Sequence, residues 1–156
     1  MILDNTDKQL LNLLQEDSKQ TTKALALQLH LSATAIYERI KKLEREGFIT
    51  DYVALLNPEK LQANLTVFCQ VSLVQHTEDI VSAFEKDILK FPEVVGCFHI
   101  SGDNDYLLKV LVPSMKAFRL FMVKKLTTLS YLGSTKSSFV MKTIKDSTAI
   151  PIDLKR

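Results

Sequence analysis

Residues Thr21 to Gly47, with the sequence TTKALALQLHLSATAIYERIKKLEREG, contain the pattern that decides the fold of the N-terminal third. Leu25 and Leu29 recur one helical turn apart, and the small Ala26 beside them allows a second helix to cross closely. Apolar positions at helical spacing resume after Ser32, a residue that favours helix N-termini. The stretch therefore predicts two helices joined by a tight turn, which is a helix-turn-helix.

The second helix of this pair has two chemically different faces. Ile36, Ile40 and Leu43 fall on one side when each residue turns the helix by about 100°. The opposite side is polar and basic, and a helix-turn-helix places the N-terminal part of its second helix in the major groove of DNA. The predicted DNA-binding residues are three base readers, four phosphate contacts and one flanking residue, in that order: Ser32, Thr34, Glu38; Arg39, Lys41, Lys42, Arg45; Tyr37.

Composition excludes several classes of protein. The 156 residues are 46% hydrophobic and 24% charged, which is typical of a soluble globular chain. The sequence has no apolar run of the roughly 18 residues that a membrane helix needs, and its N-terminus lacks the basic start of a signal peptide. We therefore expect a cytoplasmic protein with no membrane partner. Cys69 and Cys97 stand alone in apolar runs and are predicted to be free thiols.

Charge supports a nucleic-acid partner only locally. The net charge is +2, and up to residue 64 the chain has eight Lys or Arg against nine Asp or Glu. The basic signal is confined to four cations between Arg39 and Arg45 of one helix. With four glycines and no glycine-rich phosphate loop, G-x-S-x-G or H-E-x-x-H, the sequence predicts no cofactor, catalytic residue or metal site.

Three regions follow from the pattern of elements. A helix over Leu3–Asp17 and a strand over Phe48–Leu56 complete a winged-helix-like DNA-binding domain at residues 1–54, and a linker at 55–64 contains Pro58. The remainder, residues 65–156, alternates between strand and helix periodicity. Its predicted elements are a strand at 65–74, a helix capped by Thr77, strands at 94–100 and 106–112, a helix opened by Pro113-Ser114, and a strand at 134–145. This βαββαβ order predicts a ferredoxin-like sheet domain and an α+β protein.

The predicted sheet needs a partner. Two helices cover only one face of four strands, yet the strands are apolar on both faces, as Phe68 and Leu107 illustrate. A second copy of the domain is the simplest cover. A two-fold dimer would also present two recognition helices roughly 34–36 Å apart on one side of a duplex.

The chain resembles the Lrp/AsnC, or feast/famine, family of transcription regulators. The resemblance covers nearly the whole chain and is carried by LS-x-T-x-x-x-ERI-x-x-LE-x-x-GFI and a downstream GD-x-DY, here SGDNDYLLKV, with STKSSFVMKTIK near the end. His30 stands in the helix-turn-helix where the family often has Gly. His tolerates left-handed backbone better than most residues, so we expect the turn to survive.

This resemblance implies a sequence-specific regulator of transcription whose sensing domains dimerise and assemble further, often to octamers. It also implies an amino-acid effector bound between sensing domains. The residues that match the effector pocket of the family are Gly102, Asp103, Asn104, Asp105, Tyr106, Thr135 and Ser137. A turn offers N–H groups to a carboxylate, and aspartates can accept from an ammonium group.

Other interpretations stay open. An architectural DNA-binding protein with no effector would have the same sequence features, and Gly102–Tyr106 would also serve as an ordinary hairpin turn. Cys97 and His99 form a C-x-H spacing that permits a metal in an enzyme, but no third or fourth ligand has recognisable spacing. A core cysteine beside a packed histidine explains that pair equally well.

Overall fold

In the computed structural model, which describes residues 2–153, the chain divides into two compact units. The first contains the residues up to Leu55 together with those after Ile144, and the second is Leu56–Ile144. Between residues 2 and 153, no helix combines the length and apolar character that crossing a membrane requires.

The first unit is a bundle of three helices, α1 (Asn5–Glu16), α2 (Thr22–Leu29) and α3 (Ala33–Arg45). The side chains of Asp4, Thr21 and Ser32 cap them by accepting the N–H of Asp7, Ala24 and Ala35, respectively. The core consists of six buried residues: Leu10, Leu11, Leu25, Ala26, Ile36 and Leu43. The predicted helix-turn-helix is therefore confirmed.

The turn between α2 and α3 has the backbone conformation that the sequence predicts. His30 ends α2 with φ 53° and ψ 43°, in the left-handed region, and its N–H donates to the carbonyl of Ala26. The N–H of Leu31 donates to the same carbonyl at 3.0 Å. These bonds satisfy the end of the helix, so the turn forms without Gly.

The strand predicted at residues 48–56 is wrong. These residues have no regular secondary structure and are exposed except for Ile49, which packs against the helical core. An isolated extended segment leaves its backbone groups without partners. Among residues 2–153, the only sheet is the four-stranded one of the second unit, so the segment has no neighbouring strand within the chain.

The second unit confirms the predicted α+β fold. Its elements in order are β1 (Leu65–Leu73), α4 (Glu78–Ile88), β2 (Val94–His99), β3 (Tyr106–Val112), α5 (Met115–Lys124), a 3₁₀ turn (Leu126–Thr128) and β4 (Leu132–Phe139). The strands form one antiparallel sheet in the order β2-β3-β1-β4. This is the ferredoxin-like βαββαβ arrangement.

The fourth strand is shorter than predicted and begins earlier, at Leu132 rather than Ser134. It ends at Phe139 instead of Lys145 because its neighbour β1 begins at Leu65. Phe139 pairs with Val67, and the N–H of Val140 then donates to the carbonyl of Thr66. Beyond that point only Leu65 of β1 remains.

The predicted second domain extends to residue 156, whereas residues 145–153 lie in the first unit. The side-chain amide of Gln15 on α1 donates to the carbonyl of Ile150 at 3.1 Å and accepts from its N–H at 2.6 Å. Ile152 packs against the core of the first unit. Ile150 and Ile152 therefore contact the helical bundle, which provides the Gln15 amide and an apolar surface. Sequence periodicity does not predict such contacts.

The two faces of the sheet differ in burial. On one face, alternate residues of β1 and β3 pack under α4 and α5 and are fully or almost fully buried, as Val71 and Leu108 are. On the other, Phe68 and Leu107 are only half-buried, and Phe98, which pairs with Leu107, is 54% exposed. The chain thus has an uncovered sheet face with apolar residues, as the sequence predicted.

Candidate DNA-binding helix and effector site

Helix α3 presents seven of the eight predicted DNA-binding residues to solvent. Burial of Ile36 and Leu43, both 0% exposed, turns the opposite side of the helix outward. The residues exposed there or beside it are Ser32, Thr34, Tyr37, Glu38, Lys41, Lys42 and Arg45. The oxygen of Ser32 also caps the helix by accepting the N–H of Ala35 at 3.1 Å. Its hydroxyl hydrogen stays available to another acceptor.

Arg39 has a different environment from the other predicted residues. It is half-buried, and its Nη1 lies 2.7 Å from Oδ2 of Asp4 and 2.6 Å from Oδ1 of Asp7. The structure therefore gives Arg39 intramolecular partners, in place of the free guanidinium that a phosphate contact assumes. Arg39 lies about 60° around the helix from Ile36, at the edge of the apolar stripe. This position in the sequence is what indicates its partly buried environment.

A second polar cluster holds Lys41 at the outer surface of α3. Its Nζ lies 2.7 Å from Oε2 of Glu44 and 5.8 Å from the centroid of the Tyr37 ring. The hydroxyl of Tyr52 donates to the other carboxylate oxygen of Glu44 at 3.1 Å. Burial, followed by the bond to Glu44, raises the pKa of Tyr52 to about 12. The i, i+3 spacing of Lys41 and Glu44 predicts their contact, but nothing in the sequence pattern identifies Tyr52.

The predicted effector turn connects β2 to β3, and its two aspartates differ. Gly102 has φ 131°, a conformation that favours glycine, and Asp103 is exposed. Asp105 is engaged by the protein, since its Oδ2 accepts the N–H of Leu73 at 2.7 Å and its Oδ1 lies 2.7 Å from Nε2 of His76. The bond from Leu73 lowers the pKa of Asp105, burial opposes this, and the bond to His76 adds to the lowering.

Tyr106 and Asn104 also have partners inside the chain. The hydroxyl of Tyr106 donates to Oε1 of Glu85 at 2.8 Å, while burial and this bond raise the pKa of Tyr106. His99 stacks on the Tyr106 ring with centroids 4.7 Å apart. The hydroxyl of Ser72 donates to Oδ1 of Asn104 at 3.3 Å. Sequence reasoning missed His76, Glu85 and Ser72, since residues distant in the chain have no spacing signal.

Thr135 and Ser137 lie two strands away from the turn. Val71 on β1 pairs with Tyr106 on one side and Thr135 on the other, which separates those two Cα atoms by roughly 10 Å. Ser137 pairs with Cys69, and their Oγ and Sγ atoms lie 3.6 Å apart. Burial raises the pKa of the Cys69 thiol. The predicted effector residues therefore share one region of the sheet, with β1 between the turn and the two residues of β4.

The two cysteines are free, with Cys69 buried and Cys97 half-buried. Cys97 packs against the core between the sheet and its helices. Over residues 2–153, no three His, Cys, Asp or Glu side chains are grouped so that they would hold a metal ion.

Comparison with known proteins matches both units. A "Winged helix-turn-helix DNA-binding" family model matches residues 3–50, and the "Lrp/AsnC ligand binding domain" model matches residues 66–150. Leucine-responsive regulatory proteins of Klebsiella pneumoniae and Escherichia coli K12 are 39% identical over 150 residues, covering 96% of this chain and 92% of theirs.

Solved structures agree with this assignment. A Neisseria meningitidis transcriptional regulator in complex with L-Met has a TM-score of 0.92 at 36% identity, covering 96% of this chain and 97% of its own. An AsnC family transcriptional regulator from Agrobacterium tumefaciens has a TM-score of 0.93 at 36% identity, covering 99% and 100%. A helix-turn-helix with a polar outer face and a ferredoxin-like ligand-binding domain are thus combined as in these regulators, and the chain belongs to the Lrp/AsnC family of transcriptional regulators.

Proposed function

We propose that two copies of the chain bind one duplex through their α3 helices, and that an amino acid bound at the 102–106 turn regulates this binding. The observation that supports DNA binding is the exposed polar and basic face of α3. The residues of this face are exposed, and in this proposal Thr34 and Glu38 lie in the part of the helix that enters the major groove, while Lys41, Lys42 and Arg45 contact phosphates.

Dimerisation is supported by the uncovered sheet face. Phe98 is 54% exposed, and Leu107 and Phe68 lie half-buried beside it. Apolar residues grouped on one face typically mark an interaction surface. A second copy that packs its own sheet on this face would cover these residues and bring two DNA-binding helices together.

The proposal that an amino acid binds at the 102–106 turn rests on polar groups near the end of the sheet. Asp103 is exposed and offers a carboxylate to an ammonium group, and the N–H groups of Gly102 to Asn104 suit a carboxylate, while that of Asp105 donates to the carbonyl of Val71. Thr135 lies on the far side of β1, roughly 10 Å from Tyr106, and Gly102 and Asp103 are exposed, so a ligand here would be open to solvent on one side within one chain. We infer that another copy completes the pocket. The related Neisseria regulator solved with L-Met supports an amino acid as the ligand.

The test measures binding to DNA and to amino acids together. A duplex selected by the protein from a random pool is titrated with and without each of the twenty L-amino acids, and melting is followed in parallel. A ligand at a hundred times its Kd stabilises the folded state by about 2.7 kcal/mol, so the correct amino acid should raise Tm clearly. D-Met serves as a matched control for L-Met.

Substitution then locates the site. Asp103→Asn and Thr135→Ala should weaken the stabilisation by the active amino acid, while Asp51→Asn in the other unit should leave it unchanged. If no L-amino acid alters melting, sedimentation or DNA affinity, the effector proposal is wrong. If no duplex is enriched over random sequence, the proposal of sequence-specific binding is wrong.

A further inference from the structure

The contact between Arg39 and the N-terminus of α1 is built from groups that are themselves fixed. Oδ1 of Asp4 accepts the N–H of Asp7 at 2.7 Å, and Oδ2 of Asp7 accepts the N–H of Asp4 at 3.2 Å. This reciprocal pair is a capping box, which places both carboxylates at the positive end of the helix dipole. Each aspartate thus has one oxygen committed to the helix and one directed at Arg39.

The electrostatics favour the charged forms of Asp4 and Arg39. Burial alone would raise the pKa of Asp4, but the bonds from Asp7 N–H and from Arg39 hold it below its ordinary value. Hydrogen bonds to Asp4 and then Asp7 raise the pKa of Arg39. The Asp7 side chain is only 4% exposed, and its Oδ1 lies 2.6 Å from Nη1 of Arg39, so the Asp7 side of this ion pair is shielded from water.

The contact acts on the rotation of α3 about its own axis. Ile36, Ile40 and Leu43 pack by apolar contact, which has no direction of its own. Arg39 lies at the edge of that stripe, and its hydrogen bonds are directional. A rotation of about 20° moves side-chain atoms some 6 Å from the axis by about 2 Å, which is enough to break hydrogen bonds to base edges.

We propose that Asp7, assisted by Asp4, is a positioning residue for DNA reading, which acts through Arg39 to set the rotation of the recognition helix. Arg39 then contributes to DNA binding without contacting a phosphate. This assignment concerns how the DNA-binding domain reads sequence and is independent of the effector site. It separates Arg39 from Lys41, Lys42 and Arg45, with which it shares a charge and a helix.

The experiment compares affinities for a selected duplex and a random duplex across salt concentrations, at temperatures where circular dichroism shows each variant folded. Asp7→Asn and Arg39→Gln should weaken binding to the selected duplex about tenfold or more, because base contacts are lost. Binding to the random duplex should stay within about twofold, and the slope of log K against log salt should not change. Arg39→Lys should recover part of the loss, since an ammonium still reaches one carboxylate.

Lys42→Gln is the matched control because it removes an exposed cation from the same helix. It should weaken both duplexes together and reduce the salt slope by about 0.9 for each copy bound to the duplex. A role in stability alone would lower Tm but leave the ratio of the two affinities unchanged in folded protein. Asp4→Asn keeps the more buried bond between Asp7 and Arg39, so it tests the same pattern at smaller amplitude if Asp7→Asn does not fold.

Two results would overturn the proposal. One is a salt slope for Arg39→Gln that falls as it does for Lys42→Gln, which would make Arg39 a phosphate contact. The other is a ratio of selected to random affinity that stays at the wild-type value in both Asp7→Asn and Asp4→Asn.

Discussion

Each unit of the chain contains two aspartates close together in sequence, and the two pairs have opposite surroundings. Asp4 and Asp7 both bond to one guanidinium, and the Asp7 residue is 3% exposed. In the second unit, Leu56–Ile144, which we call the sensing unit, Asp105 pairs with His76, whose side chain is 70% exposed, and Asp103 lies in solvent. The same residue type at similar spacing therefore forms a cluster around one buried carboxylate in the first unit, where Asp7 is buried and Asp4 is 52% exposed. In the second unit it forms a more open pair, where Asp105 is half-buried and Asp103 is exposed.

The identity and burial of the partner explain this difference. Arginine stays charged throughout the physiological pH range, and its planar guanidinium bridges two carboxylates in a fixed geometry. A histidine on the surface forms a weaker pair that water and other cations compete for. The first cluster is suited to hold a helix, whereas the second can exchange its partner for a ligand.

The largest expected effect comes from removing the buried acid. Asp7→Ala leaves Arg39 without its buried partner and α1 without half of its capping box, so we expect a loss of about 2–3 kcal/mol. Because the chain has two units, the loss should be measured by hydrogen exchange at the amides of Leu10 and Leu11, which report on the first unit.

The counterpart in the sensing unit should behave differently. Asp103→Ala removes an exposed acid and should change stability by no more than about 0.5 kcal/mol. Equal losses of stability for Asp7→Ala and Asp103→Ala would mean that the two pairs do not differ in their contribution to the fold.

Much of the fold follows from sequence because its signals are local. The caps Asp4, Thr21 and Ser32, together with apolar spacing, identify the three helices of the first unit, and alternation identifies the four strands of the second. Residues 48–56 were predicted as a strand from composition, but pairing depends on a neighbouring strand that local sequence does not specify. The end of β4 fails for the same reason, since it depends on where β1 begins.

The candidate site was predictable in residue type and less so in role. Helical rotation places Thr34, Glu38 and Lys41 outward, as the structure has them. It also places Arg39 near the buried edge, but the acids that bond to it lie more than 30 residues earlier in the chain. Likewise, no pattern in the sequence joins His76 to Asp105. Long-range polar partners are what sequence reasoning omits here.

The stability of the sensing unit should depend on pH through Asp105, and this effect should be smaller than the loss expected for Asp7→Ala. The N–H of Leu73 is the main cause of the lowered pKa of Asp105, so its charged form stabilises the folded state by about 1 kcal/mol. This contribution is complete above the unfolded pKa of about 3.9 and is lost as pH falls through the lower folded pKa. Asp105→Asn lacks it.

Unfolding of the two proteins should therefore be compared between about pH 3 and pH 6. The advantage of the wild type over Asp105→Asn should be largest near pH 6 and should shrink as Asp105 becomes protonated. Gln75→Ala, a nearby change without a titrating group, should give a difference from wild type that does not vary in this way. A constant gap for Asp105→Asn across the range would mean that the charge of Asp105 does not stabilise the fold.

The smallest expected effect concerns His76 and depends on the proposed effector site. His76 occupies one oxygen of Asp105, a group that an amino-acid ammonium would also use. Surface contacts of this kind contribute about 0–1 kcal/mol, so His76→Ala should tighten binding of the active amino acid by about twofold to fivefold, measured calorimetrically. Gln75→Ala should leave the affinity at the wild-type value. Weaker binding in His76→Ala would instead mean that the imidazole contacts the ligand. The pair of Asp105 and His76 would then be as fixed a part of its unit as the pair of Asp7 and Arg39.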